Sequence, residues 1–193
     1  AFIEIKKEYL VNKGAKVSIY NKYGDLNITT WDKNRVEIEV TIIVKGDDLD
    51  SVEDRLEGID VAFEASASYV SAKTIFEKEK SNWSFWKKNN NLNYQINYQV
   101  KIPKTNAVDL NNDYGSIYLG DLYGKAHIYC DYGKISVGEL FADDTTISLE
   151  YCSSLNIVFM NSGADYSKIT IEKLGKLKVN MDYSTLNIET LED

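Results

Sequence analysis

The chain has little of what most site chemistry requires. Its 193 residues include one proline, two cysteines and one histidine, and no apolar run approaches the ~18 residues that would span a bilayer. The cysteines, Cys130 and Cys152, are too few for a disulfide scaffold or a four-ligand zinc site. Lysine and arginine total 22 against 30 aspartates and glutamates, a net charge of −8. This acidic balance argues against a nucleic-acid partner, because phosphate binding depends on basic side chains.

What is present is typical of a folded, strand-rich chain. Hydrophobic residues make up 44% and charged residues 27%, which is a globular rather than a disordered composition. One phrase recurs along the sequence: NKYGDLNI from Asn21, NDYGSIYL from Asn112, CDYGKISV from Cys130, ADYSKITI from Ala164 and MDYSTLNI from Met181. A less regular copy, YCSSLNI from Tyr151, carries one extra residue, which indicates a bulge.

The recurring phrase predicts a corner between two strands. Apolar residues alternate at period two on both sides of the tyrosine, but the phase shifts by one across it, so the backbone must turn there. Gly24, Gly115 and Gly133 occupy the corner, with Ser167 and Ser184 in later copies; glycine permits a positive φ or a close backbone approach. From Tyr114 onward the tyrosines recur at intervals of 18, 19, 15 and 17 residues. We therefore predict an all-β fold, a single-stranded β-helix or β-solenoid whose coils stack every 17–18 residues.

Stacked coils would align the tyrosines into one ladder. Its predicted members are Tyr23, Tyr114, Tyr132, Tyr151, Tyr166 and Tyr183. Because Tyr151 keeps phase with the apolar residues of its own strand, we expect the ladder in the interior, where Tyr151→Ala would cost about 3–5 kcal/mol. The two cysteines are offset by three residues on stacked coils, about 10 Å along the strand, and this offset predicts that they are unpaired.

Residues 35–107 do not follow the period. VEIEVTIIV and LNYQINYQVKI predict long strands, and DDLDSVEDRLEG predicts a short helix near 48–57, with Asp47 or Asp48 as N-cap and Gly58 as stop. We interpret 35–107 as a wider insertion, packed on or continuous with the solenoid, within one domain spanning 1–193, followed by regular coils over 108–193.

Three polar or aromatic features are candidate sites. His127 lacks a serine or cysteine partner motif and is interpreted as a surface residue. The carboxylates before the tyrosines form a column: Asp113, Asp131, Glu150, Asp165 and Asp182. Calcium favours such oxygen clusters, but each carboxylate can equally accept a backbone N–H of its own turn, and Lys22 in the first copy favours this second interpretation. Trp83, Phe85 and Trp86 lie in a polar loop and are either partner contacts or a cap over an open solenoid end. No catalytic residue, metal ligand or cofactor is predicted.

The sequence also carries a family resemblance. NKYGDLNITTWDKNRVEIEVTI, VSAKT, INYQVKIPKTNAVDLNNDYG and the later Tyr-Gly copies resemble Bacteroides-type envelope proteins known as "putative adhesins", and the head domain of some autotransporter adhesins. The resemblance implies a β-helix-like fold, export to the periplasm or cell surface, and no established enzyme activity. The first ten residues, AFIEIKKEYL, are polar and strand-like and do not have the pattern of a signal peptide.

These features favour a non-enzymatic binding or adhesion module of the cell envelope with an unknown protein or glycan partner. An envelope structural or signalling protein is the first alternative. A carbohydrate-active β-helix enzyme is the second, but it would need acids and bases gathered at one place, whereas here the acids form a uniform column.

Overall fold

The described residues fold into two β-sheets and one helix. The computed structural model describes residues 1–77, 92–142, 145–159, 168–171 and 177–181. In chain order its elements are β1 (Phe2–Leu10), β2 (Lys16–Lys22), β3 (Leu26–Trp31), β4 (Arg35–Lys45), α1 (Leu49–Glu57), β5 (Ile59–Ser66), β6 (Tyr69–Phe76), β7 (Asn93–Pro103), β8 (Ala107–Asp113), β9 (Ile117–Leu119), β10 (Ala126–Asp131), β11 (Lys134–Leu140), β12 (Thr146–Glu150), β13 (Ser154–Phe159), β14 (Lys168–Ile171) and β15 (Leu177–Met181).

The two sheets are both mixed. Sheet A has eight strands in the order β1-β4-β7-β3-β9-β11-β13-β15, and sheet B has seven in the order β14-β12-β10-β8-β2-β6-β5. The pairs β1–β4, β4–β7 and β5–β6 are antiparallel, and the remaining pairs are parallel. From β8 onward, successive strands alternate between sheet B and sheet A. The repeated phrase is therefore the crossing from one sheet to the other.

The all-β class is confirmed, but the predicted single-stranded β-helix is wrong. The reason lies in residues 35–107, which were interpreted as a wider insertion packed on, or continuous with, the solenoid. Strands β4 and β7 of this region pair within sheet A, and β5 and β6 join sheet B, so antiparallel and parallel pairs share both sheets. Alternation alone does not report strand direction, because it is the same in parallel and antiparallel strands when one face is buried.

The short helix is confirmed. Asp48 is its N-cap, and its carboxylate accepts the Ser51 backbone N–H at 3.1 Å. Val52 and Leu56 are the buried residues of α1, and Gly58 is the C-cap. Within the described ranges, no helix is both long and apolar enough to cross a membrane.

One apolar core lies between the sheets. On β4 the inward positions are Val36, Ile38, Val40, Ile42 and Val44, all at most 1% exposed. The apolar residues that follow each tyrosine are buried as well: Leu26, Ile28, Ile117, Leu119, Ile135 and Val137. The tyrosines between these strands are therefore held by a rigid frame on both sides.

Candidate functional site: a stacked tyrosine ladder

The corner of each repeat is made by the tyrosine itself. Tyr23, Tyr114, Tyr132 and Tyr151 have φ angles of 64°, 58°, 53° and 48°. A bulky residue in this left-handed region is uncommon, and it costs on the order of 1–3 kcal/mol unless the surroundings enforce it. Sequence reasoning left the role of the corner glycine open between positive φ and close approach. The positive φ belongs to the tyrosine.

The glycine after the tyrosine provides the close approach. A Cβ atom on Gly24 would lie 2.0 Å from the Ile96 carbonyl oxygen. One on Gly115 would lie 1.9 Å from the Gly24 oxygen, and one on Gly133 would lie 1.9 Å from the Gly115 oxygen. The first corner thus rests directly on the backbone of β7, and the next two each rest on the corner before them. Only glycine leaves room for such a contact.

In the first three corners a hydrogen-bonding side chain holds the contact together. Asn21 Nδ2 donates to the Ile96 oxygen at 2.9 Å, and Asn112 Nδ2 donates to the Gly24 oxygen at 2.9 Å. In the next repeat the Cys130 thiol lies 3.5 Å from the Gly115 oxygen. In these three repeats the residue two places before the tyrosine therefore contacts a backbone carbonyl, of β7 in the first repeat and of the preceding corner in the next two, which would otherwise lose a hydrogen bond on burial.

The close corners place the tyrosine rings in a stack. The ring centroids of Tyr23 and Tyr114 are 5.3 Å apart at an interplanar angle of 14°. Tyr114 and Tyr132 are 5.0 Å apart at 3°, and Tyr132 and Tyr151 are 5.0 Å apart at 6°. We call these four residues the tyrosine ladder. Tyr166 and Tyr183, the other predicted members, lie outside the described residues.

The first end of the ladder is closed by two more aromatic rings. Tyr94 meets Tyr23 edge-on at 4.9 Å, and Phe76 does so at 5.9 Å. These rings come from β7 and β6, the strands that flank the first repeat in the two sheets. The face of Tyr23 that looks away from Tyr114 is therefore not open for a planar ligand.

The ladder faces solvent, so the prediction of an interior ladder is wrong. Tyr114, Tyr132 and Tyr151 are 47%, 46% and 46% exposed, whereas Ile147 and Leu149 are buried. The left-handed backbone turn directs the ring away from the apolar face of its own strand, and this turn breaks the phase on which the prediction relied. The ring faces cover one another, while their edges and hydroxyls meet water. A loss of 3–5 kcal/mol on Tyr151→Ala, the scale for emptying a buried site, no longer follows.

Carboxylates run beside the ladder on sheet B. Asp113, Asp131 and Glu150, which we call the acidic column, are in register on β8, β10 and β12. The pKa of Asp131 is raised, chiefly because it is partly buried and further because Glu150 and Asp113 are negative neighbours. In the part of the chain that the structure describes, no three or more acidic, histidine or cysteine side chains are grouped to hold a metal ion. Asp165 and Asp182 lie outside that part.

One cation ends the acidic column at the first repeat. Lys22 Nζ lies 3.8 Å from the Asp113 carboxylate. It also lies 5.2 Å and 5.6 Å from the ring centroids of Tyr23 and Tyr114, within cation–π range. The ladder thus has a positive first end and a negative continuation.

Further tyrosines extend this surface across sheet B. The Tyr20 hydroxyl donates to Asp109 at 3.2 Å. The pKa of Tyr129 is raised to about 12, first by burial and then by the Glu150 carboxylate, to which it hydrogen bonds. Sequence reasoning missed Tyr20 and Tyr129, although both stand three residues before a ladder tyrosine and that spacing was visible.

The remaining predicted residues do not join the ladder. His127 is exposed on β10, opposite Asp109 of β8 and Thr146 of β12. Trp83, Phe85 and Trp86 lie outside the described residues. The corner glycines Gly24, Gly115 and Gly133 lie directly behind the ladder, as described above.

Cys130 and Cys152 are free and buried, so the prediction that they are unpaired is confirmed. The distance on which that prediction relied is wrong. The Cys152 thiol lies 3.3 Å from the Cys130 carbonyl oxygen, because the extra residue of this repeat lets Cys152 fold back toward the previous corner.

Comparisons with known proteins give structural neighbours at low identity. A solved protein from Clostridium sporogenes, described as a "putative cell adhesion protein", is 11% identical; the match covers 89% of this chain and 73% of that one, with a TM-score of 0.40. A "putative adhesin" from Bacteroides fragilis is 13% identical, covering 98% and 92% of the two chains with a TM-score of 0.31. Another from Parabacteroides merdae is 9% identical, covering 97% and 96% with a TM-score of 0.26. No protein-family model and no curated protein sequence matches the chain.

Proposed function

We propose that this protein is a non-enzymatic binding module of the bacterial envelope, displayed at the cell surface or in the periplasm as an adhesin. The tyrosine ladder and the acidic column are its contact surface. One observation carries the proposal: at least three stacked tyrosines are held half exposed, about 46% each, at a regular 5.0 Å spacing on a rigid frame.

A fixed row of tyrosines suits binding because little freedom is lost when a partner docks. Tyrosine offers a large amphipathic contact area with few rotatable bonds. Here the rings are already restrained by their neighbours in the stack, so the ordering cost on association is reduced. The left-handed backbone at each ladder position is a repeated strain at the surface, and such strain is commonly maintained at functional positions.

The chemistry of the ladder favours a neutral, hydroxyl-rich partner. The rings cover each other's faces, so a partner meets ring edges, phenol hydroxyls and carboxylates, all of which hydrogen bond. The acidic column and the net charge of −8 repel anionic polymers. A neutral glycan with repeated hydroxyl groups matches this row of donors and acceptors. The described carboxylates repeat in a column instead of gathering around one concave site, which supports binding without catalysis.

A glycan array tests the proposal. A set of neutral glycans should retain the labelled full chain. The triple variant, which keeps the rings but removes the hydroxyls, should bind these glycans at least about tenfold more weakly; it carries Tyr114→Phe, Tyr132→Phe and Tyr151→Phe. Tenfold corresponds to a loss of roughly 1.4 kcal/mol in binding free energy. Tyr118→Phe is the matched control, because Tyr118 is 41% exposed on β9 of sheet A, away from the ladder.

Three results would contradict it. Retention of the triple variant equal to that of the unmodified chain would remove the ladder from the contact surface. Failure of every neutral glycan to retain the chain would exclude the glycan partner. Release of new reducing ends from a retained glycan would show that the protein is an enzyme.

A further inference from the structure

The two buried cysteines lie in contact at the corner of neighbouring repeats. Cys130 is 0% exposed at the end of β10, and Cys152 is 2% exposed directly after Tyr151. The Cys152 thiol lies 3.3 Å from the Cys130 carbonyl oxygen and 3.4 Å from that of Glu150. The Cys130 thiol lies 3.5 Å from the Gly115 oxygen, so both thiols are buried against corner backbone.

The corner geometry explains how the side chains come together. Cys152 stands at the place that Gly133 has in the preceding repeat, and the extra residue Ser153 allows a side chain there. The Ser153 backbone N–H donates to the Gly133 oxygen at 2.8 Å, which holds this corner against the previous one. The Cys130 sulfur fills the space beside Gly133, since a Cβ built on Gly133 would lie only 2.9 Å from it. The Cys152 sulfur lies against the backbone of Cys130, 3.3 Å from its carbonyl oxygen.

We propose that Cys130 and Cys152 are an oxidisable dithiol that closes to a disulfide, joining β10 to the bulged corner of the next repeat. The Cys152 sulfur lies 3.3 Å from the Cys130 carbonyl oxygen and both side chains are buried, so the two residues stand on adjoining backbone segments, as a disulfide requires. The co-reactant is an external disulfide, such as a small-molecule disulfide or a protein of the dithiol–disulfide exchange class. The proposal is independent of what the ladder binds.

The exchange proceeds in two balanced steps. Cys152 directly follows the exposed Tyr151 and is 2% exposed, whereas Cys130 is 0% exposed, so Cys152 is the sulfur that attacks first. Its thiolate attacks one sulfur of the external disulfide, the external S–S bond breaks, and the first external thiol leaves after taking up a proton. Cys130 then loses its proton and attacks the Cys152 sulfur of the mixed disulfide, releasing the second external thiol. The protein has lost two protons and two electrons, and the external disulfide has been reduced to two thiols.

The disulfide would fix the part of the ladder nearest to it. The segment closed by the bond, residues 131–151, contains Tyr132, Tyr151, β11 and β12. Closing a segment of this length restricts the unfolded chain. The folded state should therefore gain stability on oxidation without any change in the stacking of the two rings.

The experiment incubates the native full chain with mixtures of reduced and oxidised glutathione, quenches in acid, alkylates free thiols and measures intact mass. We expect a product lighter than the reduced chain by two hydrogen atoms, with no alkylated cysteine and no intermolecular species on a non-reducing gel. Its apparent Tm should exceed that of the reduced chain by roughly 6–12 °C. Cys130→Ala and Cys152→Ala are the matched controls, and neither should show an oxidation-dependent Tm shift.

The contradicting results are equally specific. If both thiols of the native chain remain alkylatable under redox conditions in which the urea-unfolded chain forms its disulfide, the two sulfurs are not positioned to react. If glutathione adducts accumulate on the native chain without closure, the second exchange step does not occur. Both readouts come from the unmodified chain, so they decide the proposal even if a control variant fails to fold.

Discussion

Replacing Gly115 with alanine should destabilise the protein strongly, although only one methyl group is added. The new Cβ would lie 1.9 Å from the Gly24 carbonyl oxygen, whereas ordinary contact begins near 3.4 Å. The two corners would have to separate by roughly 1.5 Å, an overpacking displacement that costs typically 1–3 kcal/mol. That separation would also stretch the bond from Asn112 Nδ2 to the Gly24 oxygen and the bond from the Leu26 N–H to the Ser116 oxygen, both 2.9 Å. Each contributes about 1 kcal/mol net, so we expect a total loss of about 3–5 kcal/mol.

The assay is urea denaturation followed by far-ultraviolet circular dichroism. Gly58→Ala is the matched control, because a Cβ on Gly58 meets nothing closer than 3.5 Å and the residue has a φ of −80°. That change should be neutral or slightly stabilising, since alanine restricts the unfolded chain. If Gly115→Ala loses less than about 1 kcal/mol, comparable with the usual effect of a surface substitution, the corners do not rest on each other as described.

Three further perturbations test separate parts of the site. Tyr132→Gly should lower the urea midpoint less than Tyr132→Ala. Both variants lose the same two stacking contacts, but glycine adopts the φ of 53° without steric strain. Equal losses would mean that the backbone is not strained at this position. Asp131→Asn should raise the urea midpoint at pH 7 but should leave it unchanged below pH 3.8, the ordinary carboxyl pKa. The reason is that the pKa of Asp131 is raised in the folded state, so the free energy of unfolding falls as the pH rises from 3.8 through the raised value. An effect that is the same at every pH would show that the charge of Asp131 is not its cause. Tyr98→Phe should cost about 1 kcal/mol, since it removes the buried hydroxyl that lies 2.8 Å from the Thr74 hydroxyl, and an unchanged midpoint would show that this bond adds nothing.

Sequence reasoning reached the local structure of this protein well. The helix at Leu49–Glu57 followed from an N-cap aspartate, an apolar face and a terminating glycine, all of which are local signals. The burial of Leu26, Ile117 and Ile135 followed from alternation after each tyrosine. These features depend on neighbouring residues along the chain, so one sequence is enough to find them.

The sequence alone did not predict to which sheet each strand belongs. Strands β4 and β7 alternate as clearly as the repeat strands do, yet their antiparallel pairing within sheet A is decided by contacts between distant residues. Residues 35–107, which were interpreted as an insertion, therefore contribute strands to both sheets. No local signal separates a strand that extends a repeat from one that pairs across it.

The exposure of the ladder was missed for a different physical reason. Phase counting assumes that each residue continues the pleat, and a single left-handed residue breaks that assumption. A positive φ is sterically unfavourable for tyrosine, so the sequence suggested that Gly24, Gly115 or Gly133 adopts it. The tyrosine before each of these glycines has the positive φ instead. The same corner explains Cys152, whose contact with Cys130 depends on one extra residue that strand spacing could not account for.

The accessibility of the ladder in solution is the measurement that tests the account most directly. Hydroxyl-radical footprinting of the folded full chain, read out by mass spectrometry of proteolytic fragments, compares each tyrosine with two internal references: Tyr118, which is 41% exposed, and Tyr98, which is 0% exposed. We predict that Tyr114, Tyr132 and Tyr151 are modified at rates close to that of Tyr118 while Tyr98 is protected. Protection of the three ladder tyrosines to the level of Tyr98 would place them in the interior and would contradict the proposed contact surface.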